Sequence, residues 1–305
     1  MPDSPFDPEF QSAARFLPRG IARSWNLPLI RMLGALSGLG ADPENVEITS
    51  TSAGPIRVHR PTSPAPGPLP AVLWLHGGGF LFGSPKQDDA LCRLIADELG
   101  ALVVAPVYRL SPMHAFPAAL DDAYAALAWI SKQDDVDANR IAVAGASAGG
   151  GLAAQLALHA RDQGELRLAA QALVYPMLDD RTVLRTDLDE SHFRLWDNRA
   201  NRVGWSAYLG HEAGAADASP IAVPARNEDL QGLPPAWIGV GSLDLFCDED
   251  MAYAERLRAA GVSCETIVID GVFHGFDGIV QDSAATKRLR DSMFTAMREA
   301  LAVPS

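Results

Sequence analysis

RIAVAGASAGGGLAAQLALHARD, residues 140–162, runs from a short apolar stretch through a glycine-flanked serine into an apolar helical pattern. A strand that passes into a helix with no loop between them must turn within Gly145-Ala146-Ser147-Ala148-Gly149. Only small neighbours fit backbone this crowded. The helix beyond the turn points its positive N-terminus at Ser147, where negative charge developing in a reaction is favoured. A chance G-x-S-x-G arises in roughly one chain in seven of this composition, so the pentapeptide takes its weight from its strand-to-helix setting.

Outward from this stretch the alternation recurs. AVLWL (71–75), ALVVAPVY (101–108), AAQALVYP (169–176), PAWIGVGS (235–242) and CETIVIDG (264–271) read as strands, and 86–100, 117–133, 248–261 and 281–301 read as helices. Continuous apolar strands separated by helices predict an α/β fold with a mostly parallel sheet covered on both faces. VEITSTSAGPIRVHR (46–60) alternates and turns at Ala53-Gly54-Pro55, predicting an antiparallel hairpin at the start of that sheet. Two segments break the rhythm. Residues 1–40 are amphipathic, and residues 178–215 carry Phe193, Trp196, Trp205 and Tyr208 with no strand where the next is due. They are expected either to fold together as a helical lid over one end of the sheet or to be peripheral helices that only cover apolar surface.

Composition narrows the partners. The 305 residues include 25 Lys and Arg against 38 Asp and Glu, a net charge of −13. That balance disfavours nucleic acid and anionic membrane, both polyanions. No apolar run approaches the ~20 residues that span a bilayer, and MPDSPFDPEFQSAARFLPRG shows no secretion signal. Cys92, Cys247 and Cys264 are odd in number and lack C-x-x-C spacing, so neither a disulfide framework nor a zinc site is expected. A reduced cytoplasm fits this usage best.

A second motif supports the serine. His76-Gly77-Gly78-Gly79-Phe80 closes the first parallel strand, and a chance H-G-G-G is roughly a one-in-two-hundred event. Three successive glycines suit backbone that must approach something closely, here an oxyanion. The N–H groups of Gly78, Gly79 and Ala148 would hold its charge. A phosphate loop is the weaker reading, since no Gly-Lys-Ser/Thr follows. His76 is expected to be structural. A serine nucleophile needs a base and the base an orienting acid, in the chain order serine, acid, histidine. Asp244 follows one strand and His274 the next, both at carboxyl ends, where sites gather in open α/β sheets. His114 is the rival histidine and Asp248 the fallback acid, although Asp248 and Glu249 open a helix and read as charges that complement its dipole.

HGGGF, YRLSPMHAFPAALDDA (108–123), GASAGG, GSLDLFCDE and FHGF together resemble the hormone-sensitive-lipase family of α/β-hydrolase esterases, over about residues 70–280 and in the family's order. The resemblance implies an α/β-hydrolase fold with a mostly parallel eight-stranded sheet, helices on both faces and a helical cap. By matching position it implies Ser147 as nucleophile, Asp244 as acid, His274 as base, and Gly78, Gly79 and Ala148 as oxyanion hole. The cap would comprise residues 1–40 and 178–215, with the core at 41–177 and 216–305. Three positions depart from the family pattern: Ala146 replaces an aspartate, Met113 a glutamate, and Leu245-Phe246-Cys247 a proline-leucine-arginine run. These departures bear on substrate range and local rigidity, and none replaces a catalytic atom.

The expectation is a serine carboxylesterase acting on short- to medium-chain acyl esters, with no metal or organic cofactor and no stable membrane association. An amidase, formamidase or lactonase with the same triad is the enzymatic alternative. A ligand receptor on a silenced esterase is the other, and it would lack the working histidine. The resemblance also implies a homodimer through the last strand.

Overall fold

The computed structural model describes residues 4–37, 42–43 and 46–302; residues 1–3 and 38–40 of the expected N-terminal cap segment lie outside them. Eight strands form one sheet: β1 (Val46–Thr51), β2 (Gly54–His59), β3 (Leu69–Leu75), β4 (Leu102–Pro106), β5 (Val136–Ala146), β6 (Ala170–Val174), β7 (Ala236–Gly241) and β8 (Cys264–Ile269). Their order is β1-β2-β4-β3-β5-β6-β7-β8. The hairpin β1–β2 joins the rest antiparallel through β4, and every other pairing is parallel. β5 starts four residues before the apolar run at 140, because Leu69 pairs with Val136 while the polar Asp137 and Asn139 carry no strand signal.

Period-two alternation splits the central strands between two cores. Leu73 and Leu75 face one side with α4 (Ala118–Ile130), α5 (Ala148–Gln163) and α7 (Cys247–Ala259). Val72 and Trp74 face the other with α3 (Asp89–Leu99) and α9 (Ala284–Leu301). Trp74 pairs in register with Ala144, so the small residues of β5 make room for the indole. Each fully buried Leu or Val contributes ~1.5–3 kcal/mol, which explains why these strands read as unbroken apolar runs.

The chain steps from β3 outward to β4, then returns across β3 to β5. Loops leaving β3 and β5 at their carboxyl ends therefore diverge, and a crevice opens between them. The two irregular segments hold α1 (Gln11–Phe16), α2 (Leu27–Ser37) and α6 (Asn198–Leu209), with 3₁₀ turns at Asp180–Leu184 and Glu190–His192. The two irregular segments do meet. Ile21 N–H donates to Leu195 O at 3.0 Å, Leu195 N–H to Pro18 O at 2.8 Å, and Arg23 pairs with the α6 N-cap Asp197. On α6, Tyr208 stacks on Phe80 at 3.8 Å between ring centroids.

Candidate active site

Ser147 sits at φ 58°, ψ −121°, a conformation that costs a non-glycine residue of order 1–3 kcal/mol. The surroundings hold it there. Its N–H donates to Val174 O at 2.9 Å, and its carbonyl accepts from Met177 and Gly151. Gly149 is fixed by crowding, since a Cβ there would lie 2.0 Å from Leu75 O. Together these lift the hydroxyl out of the sheet at the start of α5.

The loop after β8 brings His274 to it: the Ser147 hydroxyl and His274 Nε2 are 2.9 Å apart. On the other side of the ring, Nδ1 lies 2.8 Å from Asp244 Oδ2. The second oxygen of Asp244 accepts the Phe246 N–H at 3.0 Å, fixing the carboxylate's rotation. All three side chains are buried. Tyr175 packs edge-on against the imidazole at 4.8 Å and Phe246 at 5.2 Å. Tyr175, directly after β6, donates its hydroxyl to Asp277 Oδ1 at 2.6 Å and so braces the loop that carries His274.

The glycine loop after β3 completes the crevice. Gly78 has φ 127°, and a Cβ on it would strike Phe82 O at 2.0 Å. Among the described residues, the amides of Gly78, Gly79 and Ala148 donate no backbone hydrogen bond, so all three remain available to a ligand. His76 is the structural residue expected: it stacks on Tyr108 at 4.2 Å, and Tyr108 donates to its carbonyl at 2.6 Å. Burial drops its imidazole to about 4, against the pull of the Gly77 carbonyl, so the ring is neutral.

Around Ser147 and His274 lies a cavity of about 330 Å³, bounded also by Ile21, Leu195 and Trp196 from the two irregular segments. His114, the rival base, is exposed, and Asp248, the fallback acid, is exposed and paired with Arg185 at 2.7 Å. Glu249 overturns its expectation. It does not merely complement the α7 dipole but is buried, accepting the N–H groups of Leu178 and Asp179 and the Thr182 hydroxyl. Burial pushes its carboxyl up to about 8, the three donors notwithstanding. Tyr175 and Asp277 were not singled out from sequence, and neither was Asp88, another carboxylate on the cavity wall. For Tyr175 and Asp277 the only signal was a polar residue next to a strand end or the histidine loop, and Asp88 had neither.

A family model described as the alpha/beta hydrolase fold matches residues 72–278, which include every residue of this relay and of the glycine loop. The chain belongs to the α/β-hydrolase family. The hormone-sensitive-lipase-like resemblance is borne out among its relatives. Esterase LipI of Mycobacterium tuberculosis is 37% identical over 82% of this chain and 79% of its own. Carboxylesterase NlhH of the same species is 37% identical over 73% of this chain and 70% of its own. Among solved structures, a bacterial heroin esterase superposes with a TM-score of 0.88 at 37% identity, covering 98% of this α/β-hydrolase and 99% of that chain. Among the described residues of this hydrolase no helix is long and apolar enough to cross a membrane.

Proposed function

We propose that this α/β-hydrolase is a carboxylic ester hydrolase that works through an acyl-enzyme on Ser147, with His274 as its base and Asp244 as the orienting acid. The observation that carries this reading is the continuous relay Ser147–His274–Asp244, whose serine and histidine line a cavity together with Gly78 and Gly79, beside three amides that donate no backbone hydrogen bond. His274 Nε2 takes the hydroxyl proton as Ser147 Oγ attacks the ester carbonyl, and Asp244 stabilises the resulting imidazolium. The amides of Gly78, Gly79 and Ala148 receive the charge on the tetrahedral oxygen, a contribution of order 3–4 kcal/mol per lost donor in comparable sites. His274 then protonates the departing alkoxide. Water, deprotonated by the same imidazole, hydrolyses the acyl-enzyme and frees Ser147.

A cavity near the lower end of the size range for small-molecule sites supports short- to medium-chain esters. Residues 1–40 and 178–215 act as the cap, supplying Ile21, Leu195 and Trp196 to the substrate. The three free thiols Cys92, Cys247 and Cys264 suit a cytoplasmic setting. An amidase or lactonase would use the same relay, whereas the intact relay weighs against a silenced receptor. The test is hydrolysis of p-nitrophenyl acetate, butyrate, octanoate and palmitate. The expected result is turnover of the short and medium esters and poor turnover of palmitate. Amide or lactone substrates turned over faster than every ester would move the reading to the alternative.

A further inference from the structure

The cavity on Ser147 has a carboxylate-bearing end that the ester chemistry does not use. Asp88, in the 3₁₀ turn ahead of α3, and Asp277, in the short helix α8 (Phe276–Ile279), both line it. Each carboxylate is oriented by one fixed donor: the Trp74 indole N–H to Asp88 Oδ2 at 2.8 Å, and the Tyr175 hydroxyl to Asp277 Oδ1. The second oxygen of each has no hydrogen-bond partner among the described residues, and neither residue forms an ion pair there. Arg290 of α9 lines the same wall, but its guanidinium reaches only the Asp277 backbone carbonyl at 3.3 Å, and its Nε has no partner. Because Tyr175 touches His274 with its ring and Asp277 with its hydroxyl, the acidic end lies about a tyrosine's length from the imidazole.

Carboxylates without a direct ion-pair partner are costly in a half-enclosed cavity, and a cation entering with the substrate would relieve that cost. We propose that Asp88, backed by Asp277, is a specificity-determining residue that selects esters carrying a protonated aliphatic amine in the part of the substrate that fills this end of the pocket. The proposal rests on the esterase reading and names its substrate class. Burial lifts the Asp88 carboxyl to about 7; Asp277 and Asp89 add to the rise, and the Trp74 N–H opposes it. The selectivity is therefore pH-dependent. As pH rises through that value Asp88 ionises, and preference for the cation increases.

The experiment compares matched esters that differ only in a tertiary amine for a branched carbon. On the acyl side these are p-nitrophenyl 4-(dimethylamino)butanoate and p-nitrophenyl 5-methylhexanoate. On the alcohol side they are 3-(dimethylamino)propyl butanoate and 4-methylpentyl butanoate. Within each pair the ratio of kcat/KM cancels whatever pH dependence the two esters share. The expected wild-type result, in one pair, is a preference of roughly tenfold for the amine at pH 8, the size of one partly screened ion pair. That preference should shrink toward pH 6 and become small and pH-independent in Asp88→Asn, which keeps an acceptor for Trp74. Equal kcat/KM within both pairs, or an unchanged preference in Asp88→Asn, overturns the proposal and leaves the esterase reading intact. No turnover of any of the four refutes the esterase reading, and this proposal with it. The wild-type pH series needs no variant to fold.

Discussion

Replacing Glu249 separates two roles that one buried carboxyl performs. Its Oε1 accepts the N–H groups of Leu178 and Asp179, at 2.8 and 3.1 Å, and its Oε2 accepts the Thr182 hydroxyl. These donors lie where the chain leaves β6 for the 178–215 segment, so Glu249 fastens the root of the proposed cap to α7, three residues from Phe246, which fixes Asp244. Glu249→Ala strands three donors, two of them backbone amides. At ~1 kcal/mol for each lost bond, and more where water cannot replace it, the cost is about 2–4 kcal/mol. Glu249→Gln keeps the oxygen for both amides and turns an N–H toward Thr182, so it should retain most of the stability. The pH response distinguishes it from wild type. A carboxyl held to about 8 when folded, but titrating in the ordinary carboxylate range when unfolded, binds its proton more tightly in the fold. Its stabilising contribution is complete below the unfolded value and is lost as pH rises toward 8, by at most about 1.4 kcal/mol per pH unit. A glutamine side chain does not titrate, so Glu249→Gln should gain on wild type between pH 5 and 8, by a few kcal/mol at the upper end. Asp88 also titrates in this window but is present in both proteins. Urea unfolding at pH 5 and pH 8 reads all three proteins. Wild-type stability in Glu249→Ala would refute the fastening role. An identical pH response of wild type and Glu249→Gln would refute the retained proton.

Asp244→Asn should lower kcat about 10³–10⁴-fold in steady-state assays, through the wrong imidazole tautomer, while Asp248→Asn should stay within a few-fold of wild type. The reverse ranking would make Asp248 the acid. Phe10→Ala should cost about 3–5 kcal/mol by chemical denaturation, because Phe10 is fully buried and meets Phe273 and Phe276 edge-on at 5.9 and 5.6 Å beside His274. Stability within 1 kcal/mol of wild type, on the order of a surface substitution, would show that the N-terminal segment does not brace that loop. β8 ends the sheet with Val268 exposed, and sedimentation velocity at micromolar concentration should show a dimer that Val268→Lys dissociates. A wild-type monomer would end that expectation.

The sheet was legible because burial on both faces forces continuous apolar runs, and each run quoted from the sequence overlaps an observed strand. The relay was legible for a related reason. A serine at a loopless strand-to-helix turn, and an acid and a histidine each just past a strand end, all project from the same edge of a parallel sheet. What escaped was decided by tertiary burial. Glu249 sits among the acids of a helix N-terminus, where Asp248 is a solvent-facing charge while Glu249 and Asp250 are buried, and nothing in Asp248-Glu249-Asp250 says which of them turn inward. Phe6 and Phe10 lie in a stretch without strand periodicity, yet Phe10 is as buried as any strand residue because it caps the histidine loop. Asp88 reads as an ordinary helix-opening acid, and only the approach of Trp74 and the cavity gives it a different environment.

The central claim is that Ser147 is the nucleophile activated by His274, and covalent labelling tests it most directly. Wild-type protein treated with a fluorophosphonate should gain the mass of one adduct, and peptide mapping should place it on Ser147. Esterase activity should fall in proportion to labelling, and His274→Ala should label far more slowly although it retains the same hydroxyl. An adduct on any other residue, or full ester turnover in protein whose Ser147 is completely modified, would contradict the account.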